Sequence, residues 1–239
     1  MWSGPRNVST ALLRSFGSRH DTVVFDEPLY AHWLRETGSP HPGAEEIQRL
    51  HETDWRLVAQ QLTGPLPDGK KVCYQKHMAH HLLPSIDRTW LDQMTHVFLI
   101  REPRAMLASL CRVLPRPGLF DTGLPQQVEL FDHILSTTGT APPVIDSEDL
   151  LRDPESVLRA LCTRLELEFD TSMLAWKAGP RDTDGCWSPY WYETVLKSTG
   201  FQPYSQSTPS LPSSLEPMLE ACEELYRTLH THRLVMQES

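Results

Sequence analysis

The stretch WSGPRNVSTALLRSF (residues 2–16) joins a tight turn to the start of a helix. Gly4 and Pro5 form the turn, and Arg6 places a fixed positive charge directly after it. Side-chain donors then lead into apolar residues at helical spacing; the donors are Asn7, Ser9 and Thr10, and the apolar residues are Ala11, Leu12, Leu13 and Phe16. Because a helix N-terminus carries unpaired N–H groups and about half a positive charge, the stretch predicts a loop that binds phosphate or sulfate.

This loop differs from the one that binds nucleoside triphosphates. The pattern GxxxxGK[ST] needs a Gly-Lys pair before its hydroxyl residue, and no such pair precedes Ser9 and Thr10. The missing lysine argues against a Mg-ATP site. A Ser or Thr before an apolar run can also be a simple helix cap, and these residues alone leave both interpretations open.

The composition is that of an ordinary globular chain. Its 239 residues are 39% hydrophobic and 22% charged. That is enough for one sizeable core and short for two, so we expect a single domain over residues 1–239. The formal net charge of −9 and the pI near 5.6 argue against a general basic field, and we expect no nucleic-acid partner.

Cysteine usage and the N-terminal residues bear on the compartment. The five cysteines are widely spread and show no CxxC or Cys/His ligand spacing, so neither a disulfide framework nor a zinc site is predicted. Pro5, Arg6 and Asn7 stand where a signal peptide would need its apolar core. No run of about 18 apolar residues occurs. We therefore expect a cytoplasmic protein that is neither secreted nor inserted in a membrane.

Strand-like and helix-like runs alternate along the chain. The strand candidates are a very short one before the first turn and residues 22–25, 71–75, 96–100 and 143–146. Helical stripes follow the first turn and occupy residues 47–62, 105–113, 128–135, 157–165 and 215–229. Residues 37–43, 114–125 and 179–189 have the composition of loops. The alternation predicts an α/β fold with a mostly parallel sheet flanked by helices.

In such a fold the ligand site lies beyond the carboxyl ends of the strands. Several polar side chains directly follow predicted strands and should gather at that edge: Arg6, Glu27, Lys76, His77 and Arg101.

Four segments, in order, resemble motifs of the sulfotransferases that use 3′-phosphoadenosine 5′-phosphosulfate (PAPS). GPRNVST (residues 4–10) resembles their 5′-phosphosulfate loop, and IREPRAMLAS (residues 100–109) resembles their 3′-phosphate motif. KHMAHHLLP (residues 76–84) is similar to the segment that supplies a catalytic histidine, with one residue fewer between lysine and histidine. DSEDLLRDPESVLRALCTRLEL (residues 146–167) resembles the family's acidic strand end and DP-capped helix.

The resemblance implies a three-layer, P-loop-like domain with a central, mostly parallel β-sheet flanked by helices. It also implies which residues hold PAPS. The 5′ end would be bound by Arg6, Asn7, Val8, Ser9 and Thr10, and the 3′-phosphate by Arg101 and Ser109. A late loop that closes over the nucleotide would comprise Ser198, Thr199 and Gly200.

Sulfuryl transfer needs positioning and charge stabilisation, and a base must take the proton from the acceptor. Arg6 would neutralise the leaving group, and Lys76 would assist at the bridging oxygen. His77 is the first choice of base because it directly follows a predicted strand. Glu27 is the rival: if burial raises its pKa, it could remove the proton itself or orient His77. His80 or His81 are further alternatives. This scheme requires no metal.

We therefore predict transfer of a sulfuryl group from PAPS to a hydroxyl or amine of a small-molecule acceptor, which leaves the product PAP. One alternative is a P-loop-type nucleotide kinase or hydrolase, which magnesium-dependent ATP turnover would support. Another is a catalytically degenerate nucleotide-binding scaffold, which would bind PAP and sulfate nothing.

Two further questions stay open in the sequence. An aromatic cluster either lines the acceptor or adenine site or packs in the core, with the core favoured; it comprises Trp187, Tyr190, Trp191 and Tyr192. The oligomeric state is not readable, and a homodimer is among the options.

Overall fold

A computed structural model describes residues 1–205 and 209–235 of the chain. The chain forms two compact units, each built from separate stretches. The first unit comprises Met1–Ser9, His96–Phe169 and Gln202–Ser239, and the second comprises Thr10–Thr95 and Asp170–Phe201. That residues 1–239 act as a single domain stays a prediction.

The strands are short and pair in parallel. They are β1 (Trp2–Ser3), β2 (Thr22–Asp26), β3 (Val72–Met78), β4 (Phe98–Ile100) and β5 (Val144–Asp146). In the first unit β4 pairs with both β1 and β5, and in the second unit β2 pairs with β3. All three residues of β4 are fully buried, as a parallel strand covered on both faces should be.

Two 3₁₀ helices, Ala79–His81 and Thr89–Gln93, lie between β3 and β4, and α-helices follow the remaining strands. The α-helices are α1 (Ser9–Gly17), α2 (Tyr30–Thr37), α3 (Ala44–Leu50), α4 (Trp55–Leu62), α5 (Pro103–Leu110), α6 (Leu124–Thr138), α7 (Ser147–Arg152), α8 (Pro154–Arg164), α9 (Ser188–Trp191), α10 (Glu193–Leu196) and α11 (Glu216–His230). The predicted α/β class, with a mostly parallel sheet flanked by helices, is therefore confirmed.

Local chemistry explains where the helices next to the strands begin. Glu102 follows β4 and accepts hydrogen bonds from the backbone N–H groups of Arg104 and Ala105 at 2.9 and 2.8 Å. Pro103 then occupies the first position of α5, where a missing N–H costs nothing. Asp146 ends β5 and caps α7 by accepting from the Glu148 N–H at 2.6 Å.

The prediction that β3 ends at Gln75 is wrong. The strand continues to Met78, so Lys76 and His77 lie inside it rather than after it. The reason is that β2 also extends by one charged residue, Asp26, which stands opposite Lys76 in the parallel ladder. The carboxylate and the ammonium pair with each other, and both can therefore be buried in the sheet.

Two other local predictions are corrected. Residues 47–62 form two helices, α3 and α4, because Asp54 begins a new helix by accepting from the Arg56 N–H at 2.9 Å. Residues 114–125 are not wholly irregular, since they contain a 3₁₀ helix at Leu119–Thr122 and the start of α6. Gly123, with a φ of 72°, separates these two elements.

Other boundaries moved by a few residues. The strand predicted over residues 96–100 is limited to β4, and the loop predicted over residues 179–189 ends where α9 begins. The closing helix is confirmed as α11. Within residues 1–205 and 209–235, every helix falls short of the length and apolar character needed to span a bilayer.

Candidate functional site

The loop between β1 and α1 has an unusual backbone. Arg6 and Val8 adopt φ angles of 65° and 56°, in the left-handed region that non-glycine residues rarely enter. Such residues store about 1–3 kcal/mol of strain each and cluster at functional sites. Successive residues with alternating handedness turn their N–H groups into a concavity that suits an anion. The α1 helix starts immediately afterwards at Ser9, with Thr10 in its first turn.

Contacts to the end of β4 hold this loop in place. The Asn7 side chain donates from Nδ2 to the carbonyl of Leu99 at 3.2 Å. The buried Ser147 hydroxyl lies 2.6 Å from the carbonyl of Ile100 and 3.1 Å from that of Asn7. The Asn7 amide nitrogen therefore has a structural role, and Ser147 is a supporting residue that the sequence analysis did not single out.

Two arginines and a serine from distant parts of the first unit meet at this loop. Arg6 Nε donates to Ser109 Oγ at 3.0 Å, and Arg101 Nη1 donates to the Arg6 carbonyl at 2.6 Å. The structure thus brings together three predicted site residues, Arg6, Arg101 and Ser109. Arg101 and Ser109 lie 95 and 103 positions after Arg6 in the chain.

Burial and neighbouring positive charge dominate the electrostatics of these two arginines. Burial, followed by the positive charge of Arg112, lowers the pKa of Arg6. Burial, followed by the charge of Arg6, lowers the pKa of Arg101. Among the described residues no carboxylate forms a salt bridge with either guanidinium. A half-buried pair of like charges is relieved by an anion, and a guanidinium suits the oxygens of phosphate and sulfate.

The predicted late loop is bonded within the second unit. Ser198 Oγ accepts from Trp176 Nε1 at 3.0 Å and donates to the carbonyl of Val195 at 2.8 Å. The backbone N–H of Trp176 donates to the carbonyl of Thr199 at 3.0 Å, and Gly200 forms an antiparallel β-bridge with Ala175. The structure thus defines the anchorage of these residues, and their contact with a nucleotide stays a prediction.

The second unit contains a buried ion cluster, formed by Asp26, Glu27, Lys76 and Tyr192. Lys76 Nζ donates to Asp26 Oδ1 at 2.9 Å, to Glu27 Oε1 at 2.7 Å and to the Tyr192 hydroxyl at 2.7 Å. The Lys76 side chain is only 1% exposed, and its three protons all have acceptors. The Tyr192 hydroxyl in turn donates to Asp26 Oδ2 at 2.5 Å.

The electrostatics of this cluster raise the pKa values of both Glu27 and Lys76, with different consequences for each group. Burial raises the pKa of the Glu27 carboxyl, Lys76 opposes the rise and Asp26 reinforces it. Burial alone would lower the pKa of Lys76, but the charges of Asp26 and Glu27 hold it well above its ordinary value. Lys76 therefore stays an ammonium, and Glu27 has an increased affinity for a proton.

The Glu27 backbone is also constrained. Glu27 follows β2 with a φ of 42°, in the left-handed region. Its N–H donates to the carbonyl of Lys76 at 2.8 Å, which fixes the residue beside β3. The strained backbone and the ion pair together hold the carboxyl in one place, a feature typical of functional groups.

Two of the candidate histidines, His77 and His81, are more deeply buried than Glu27. His77 is buried inside β3, and its Nε2 lies 3.1 Å from Gln75 Oε1. His81 stacks on Tyr30 with ring centroids 4.7 Å apart, and His80 packs edge-on against Trp33. Burial, with a smaller effect of His41, lowers the pKa of His80 to about 3. Burial and the neighbouring histidines hold the pKa of His81 well below its ordinary value.

The aromatic cluster divides into core and surface. Trp187 and Tyr192 are buried, as the core interpretation predicted, whereas Tyr190 is 47% exposed. Asp26 is a member of the candidate site that the sequence analysis missed, although the adjacent acidic pair Asp26-Glu27 was a usable signal. Tyr192 was named only as part of the aromatic cluster, and nothing predicted that its hydroxyl bonds to Asp26, 166 positions away in the chain. In the described part of the chain, no group of three or more His, Cys, Asp or Glu side chains is arranged to hold a metal ion.

Solved structures share this fold. The sulfotransferase domain from the Synechococcus PCC 7002 olefin synthase superposes with a TM-score of 0.57 and 20% identity, covering 95% of this chain and 92% of that one. The sulfotransferase domain from the curacin biosynthetic pathway superposes with a TM-score of 0.53 and 18% identity, covering 98% of this chain and 97% of that one. At these identities the likeness shows the fold alone.

Two curated Arabidopsis thaliana proteins are more similar in sequence. They are named branched-chain-amino-acid aminotransferase-like protein 2 and protein 1, and they are 38% and 39% identical over 231 residues, or 97% of this chain. The chain spans 41% of the length of each. A family model described as sulfotransferase domain matches residues 1–232. The chain therefore belongs to the sulfotransferase domain family.

Proposed function

We propose that this chain transfers a sulfuryl group from PAPS to a hydroxyl or amine of a small-molecule acceptor, with PAP as the second product. The observation that carries the proposal is the contact of Arg6 with Ser109 and Arg101 beside a loop of alternating handedness. PAPS carries negative charge at two separate phosphates. A loop at a helix start with two arginines that form no ion pair among the described residues suits such a ligand.

The residues at and beside the loop after β1 retain donors for two phosphates. Arg101 uses one of its N–H groups on the Arg6 carbonyl, and its remaining N–H groups are available to the 3′-phosphate. The Ser109 hydroxyl accepts from Arg6 and keeps its own proton to donate. The backbone N–H groups at Val8, Ser9 and Thr10 would receive the 5′-phosphate, as at other helix N-termini. The chain therefore fits this nucleotide.

When bound, PAPS supplies the sulfuryl group and the leaving PAP. The contribution of this chain is electrostatic: the Arg6 guanidinium would stabilise the negative charge that develops on the leaving phosphate. Ser198, Thr199 and Gly200 would cover the nucleotide.

We assign proton removal from the acceptor to Glu27 in preference to His77. Glu27 stands at the end of β2 with a pKa raised by burial, which brings a carboxylate nearer to the working pH of a general base. His77 lies inside β3 beside Gln75, and the low pKa values of His80 and His81 make them weak bases. All three protons of Lys76 are already donated, so Lys76 orients Glu27.

A calorimetric titration of the full chain with PAP tests the proposal. We expect PAP to bind, and Arg101→Ala to weaken binding about 10- to 100-fold, since hydrogen bonds to charged groups contribute roughly 1.5–3 kcal/mol. Arg104→Ala is the matched control, because Arg104 pairs with Glu216 at 3.4 Å and lies outside the loop contacts. Wild-type protein that does not bind PAP would contradict the proposal.

The same titration, together with assays for ATP turnover and for sulfated product, separates the sulfotransferase from the kinase or hydrolase and from the scaffold. Binding and turnover of Mg-ATP without PAP binding would favour the kinase or hydrolase. PAP binding with no sulfated product from any hydroxyl or amine acceptor would favour the scaffold. PAP binding that is lost in Arg101→Ala, together with sulfation of an acceptor, would support the sulfotransferase.

A further inference from the structure

We infer that Tyr192 is a positioning residue for the proton acceptor: it fixes Lys76 and Asp26, and through them the carboxyl of Glu27. The inference rests on the proposed sulfuryl transfer, in which Glu27 takes the acceptor proton. It concerns a residue that contributes no atom to the reaction itself.

The Tyr192 hydroxyl forms hydrogen bonds with both Lys76 and Asp26. It accepts from Lys76 Nζ at 2.7 Å and from Trp187 Nε1 at 3.2 Å, and it donates to Asp26 Oδ2 at 2.5 Å. A phenol oxygen has one proton and two acceptor positions, so all of its hydrogen-bonding capacity is used. Burial and the charge of Asp26 raise the pKa of Tyr192 well above its ordinary value, so the phenol keeps its proton and remains a donor.

Because the Tyr192 oxygen accepts one of the Lys76 protons, it helps to determine the orientation of the Lys76 ammonium. Its three protons go to Asp26, Glu27 and Tyr192. Loss of the Tyr192 oxygen would leave one buried N–H without an acceptor, which is costly, so the ammonium would turn or shift. The bond from Lys76 to Glu27 at 2.7 Å depends on that orientation.

Charge balance explains why Tyr192 affects the proton affinity of Glu27. Two carboxylates share one ammonium, so the cluster carries one negative charge in excess when both are ionised. The Tyr192 proton stabilises that charge on Asp26. Without this donor, Asp26 would present a stronger field to Glu27, whose pKa the charge of Asp26 already raises.

Other titratable groups that face the cluster are uncharged at neutral pH. Burial raises the pKa values of Tyr30 and Tyr74, and it lowers those of His51 and His81. These four groups therefore add no change of charge of their own near neutral pH.

The test follows the protonation of Glu27 directly by NMR, using protein with ¹³C-labelled glutamate carboxyls and no ligand. The Glu27 resonance is assigned by its loss in Glu27→Gln. In Tyr192→Phe we expect the titration of Glu27 to move upward by about 0.5–1 pH unit, the equivalent of one hydrogen bond. Tyr190→Phe removes the same hydroxyl from an exposed ring and should leave the titration of Glu27 unchanged.

A second variant covers the case in which Tyr192→Phe does not fold, as judged by its melting curve. Trp187→Phe keeps the Tyr192 proton and removes only the indole donor to its oxygen. Because that donor polarises the phenol, we expect a smaller upward movement of the Glu27 titration. An unchanged Glu27 titration in a folded Tyr192→Phe variant, or in Trp187→Phe where Tyr192→Phe does not fold, would overturn the inference.

PAP binding keeps this outcome distinct from failure of the proposed function. Tyr192→Phe should bind PAP with wild-type affinity, because the proposed phosphate contacts come from other residues. Wild-type protein that does not bind PAP would remove the proposed function, whatever the NMR result. Normal PAP binding with an unchanged Glu27 titration would remove only the role of Tyr192.

Discussion

Arg6 Nε donates a hydrogen bond to the hydroxyl of Ser109 at 3.0 Å across 103 positions of the chain. This contact ties the strained loop after β1 to α5. Ser109→Ala removes the acceptor that orients Arg6 and a donor for the 3′-phosphate. We expect it to weaken PAP binding about 5- to 30-fold, the effect of one or two hydrogen bonds, as measured by calorimetry.

Ser136→Ala provides the control for that change. Ser136 is exposed on α6, and its hydroxyl donates only to the carbonyl of His133. PAP affinity should match the wild type. If Ser109→Ala and Ser136→Ala bound PAP equally well, Ser109 would have no part in the phosphate site.

The loop requires glycine at position 4. A Cβ atom added to Gly4 would lie 2.1 Å from the carbonyl oxygen of Thr122. We expect Gly4→Ala to lower the free energy of unfolding by about 1–3 kcal/mol, as overpacking does, in urea denaturation. In the control Gly17→Ala, the new Cβ would meet Val24 Cγ1 at 3.5 Å, an ordinary contact. Equal losses in the two variants would argue against a close approach at Gly4.

Local signals in the sequence were sufficient for three parts of the first unit: β4, α5 and the turn after β1. The apolar run that forms β4 and the Glu102-Pro103 pair predicted a buried strand followed by a helix. Gly4-Pro5 and Arg6 predicted the turn and the charge beside it. Each of these signals operates within a few residues, where the backbone and its caps determine the conformation.

In the second unit, the end of β3 and the ion cluster depend on contacts between residues far apart in the chain, which no local sequence pattern shows. A lysine after an apolar run normally marks the end of a strand, but Lys76 remains in β3 because Asp26 and Glu27, 50 and 49 positions away, neutralise it. Tyr192 could not be assigned a polar role because its partners are 116 and 166 positions away. Burial of a charge is decided by such partners, which appear only in the folded chain.

The ion cluster predicts a large effect of Lys76→Met. The substitution leaves the buried carboxylate of Asp26 and the partly buried carboxylate of Glu27 without a counter-charge, so we expect a loss of about 3–5 kcal/mol in the free energy of unfolding at neutral pH. The deficit should shrink as the pH falls, because protonation removes the charge that lacks a partner. Urea denaturation at several pH values measures both effects.

Lys197→Met is the matched control for that experiment. Lys197 pairs with Glu193 at 2.8 Å on an exposed helix surface, with side chains 74% and 85% exposed. Such pairs contribute little, so we expect a change within about 0.5 kcal/mol. A Lys76→Met protein as stable as Lys197→Met at neutral pH would exclude a buried ion cluster.

The enclosed histidines predict that stability declines in mild acid. His81 has a pKa well below its ordinary value because burial and its histidine neighbours disfavour the charged ring, and the pKa of His80 is lowered to about 3. The unfolded chain binds a proton at each of these histidines near pH 6.5, whereas the folded chain does not. Below about pH 6.5 the unfolded state therefore binds more protons, and the contribution of each histidine falls by up to about 1.4 kcal/mol per pH unit.

Urea unfolding between pH 5 and 7.5 measures this slope. His81→Gln removes one titrating group, so its free energy of unfolding should depend less steeply on pH below 6.5 than that of the wild type. His20→Gln is the matched control, because His20 is exposed to solvent, and it should retain the wild-type slope. A wild-type slope in His81→Gln would mean that this histidine binds a proton equally well in the folded and unfolded chain, and its burial against Tyr30 would then not exclude the charged form.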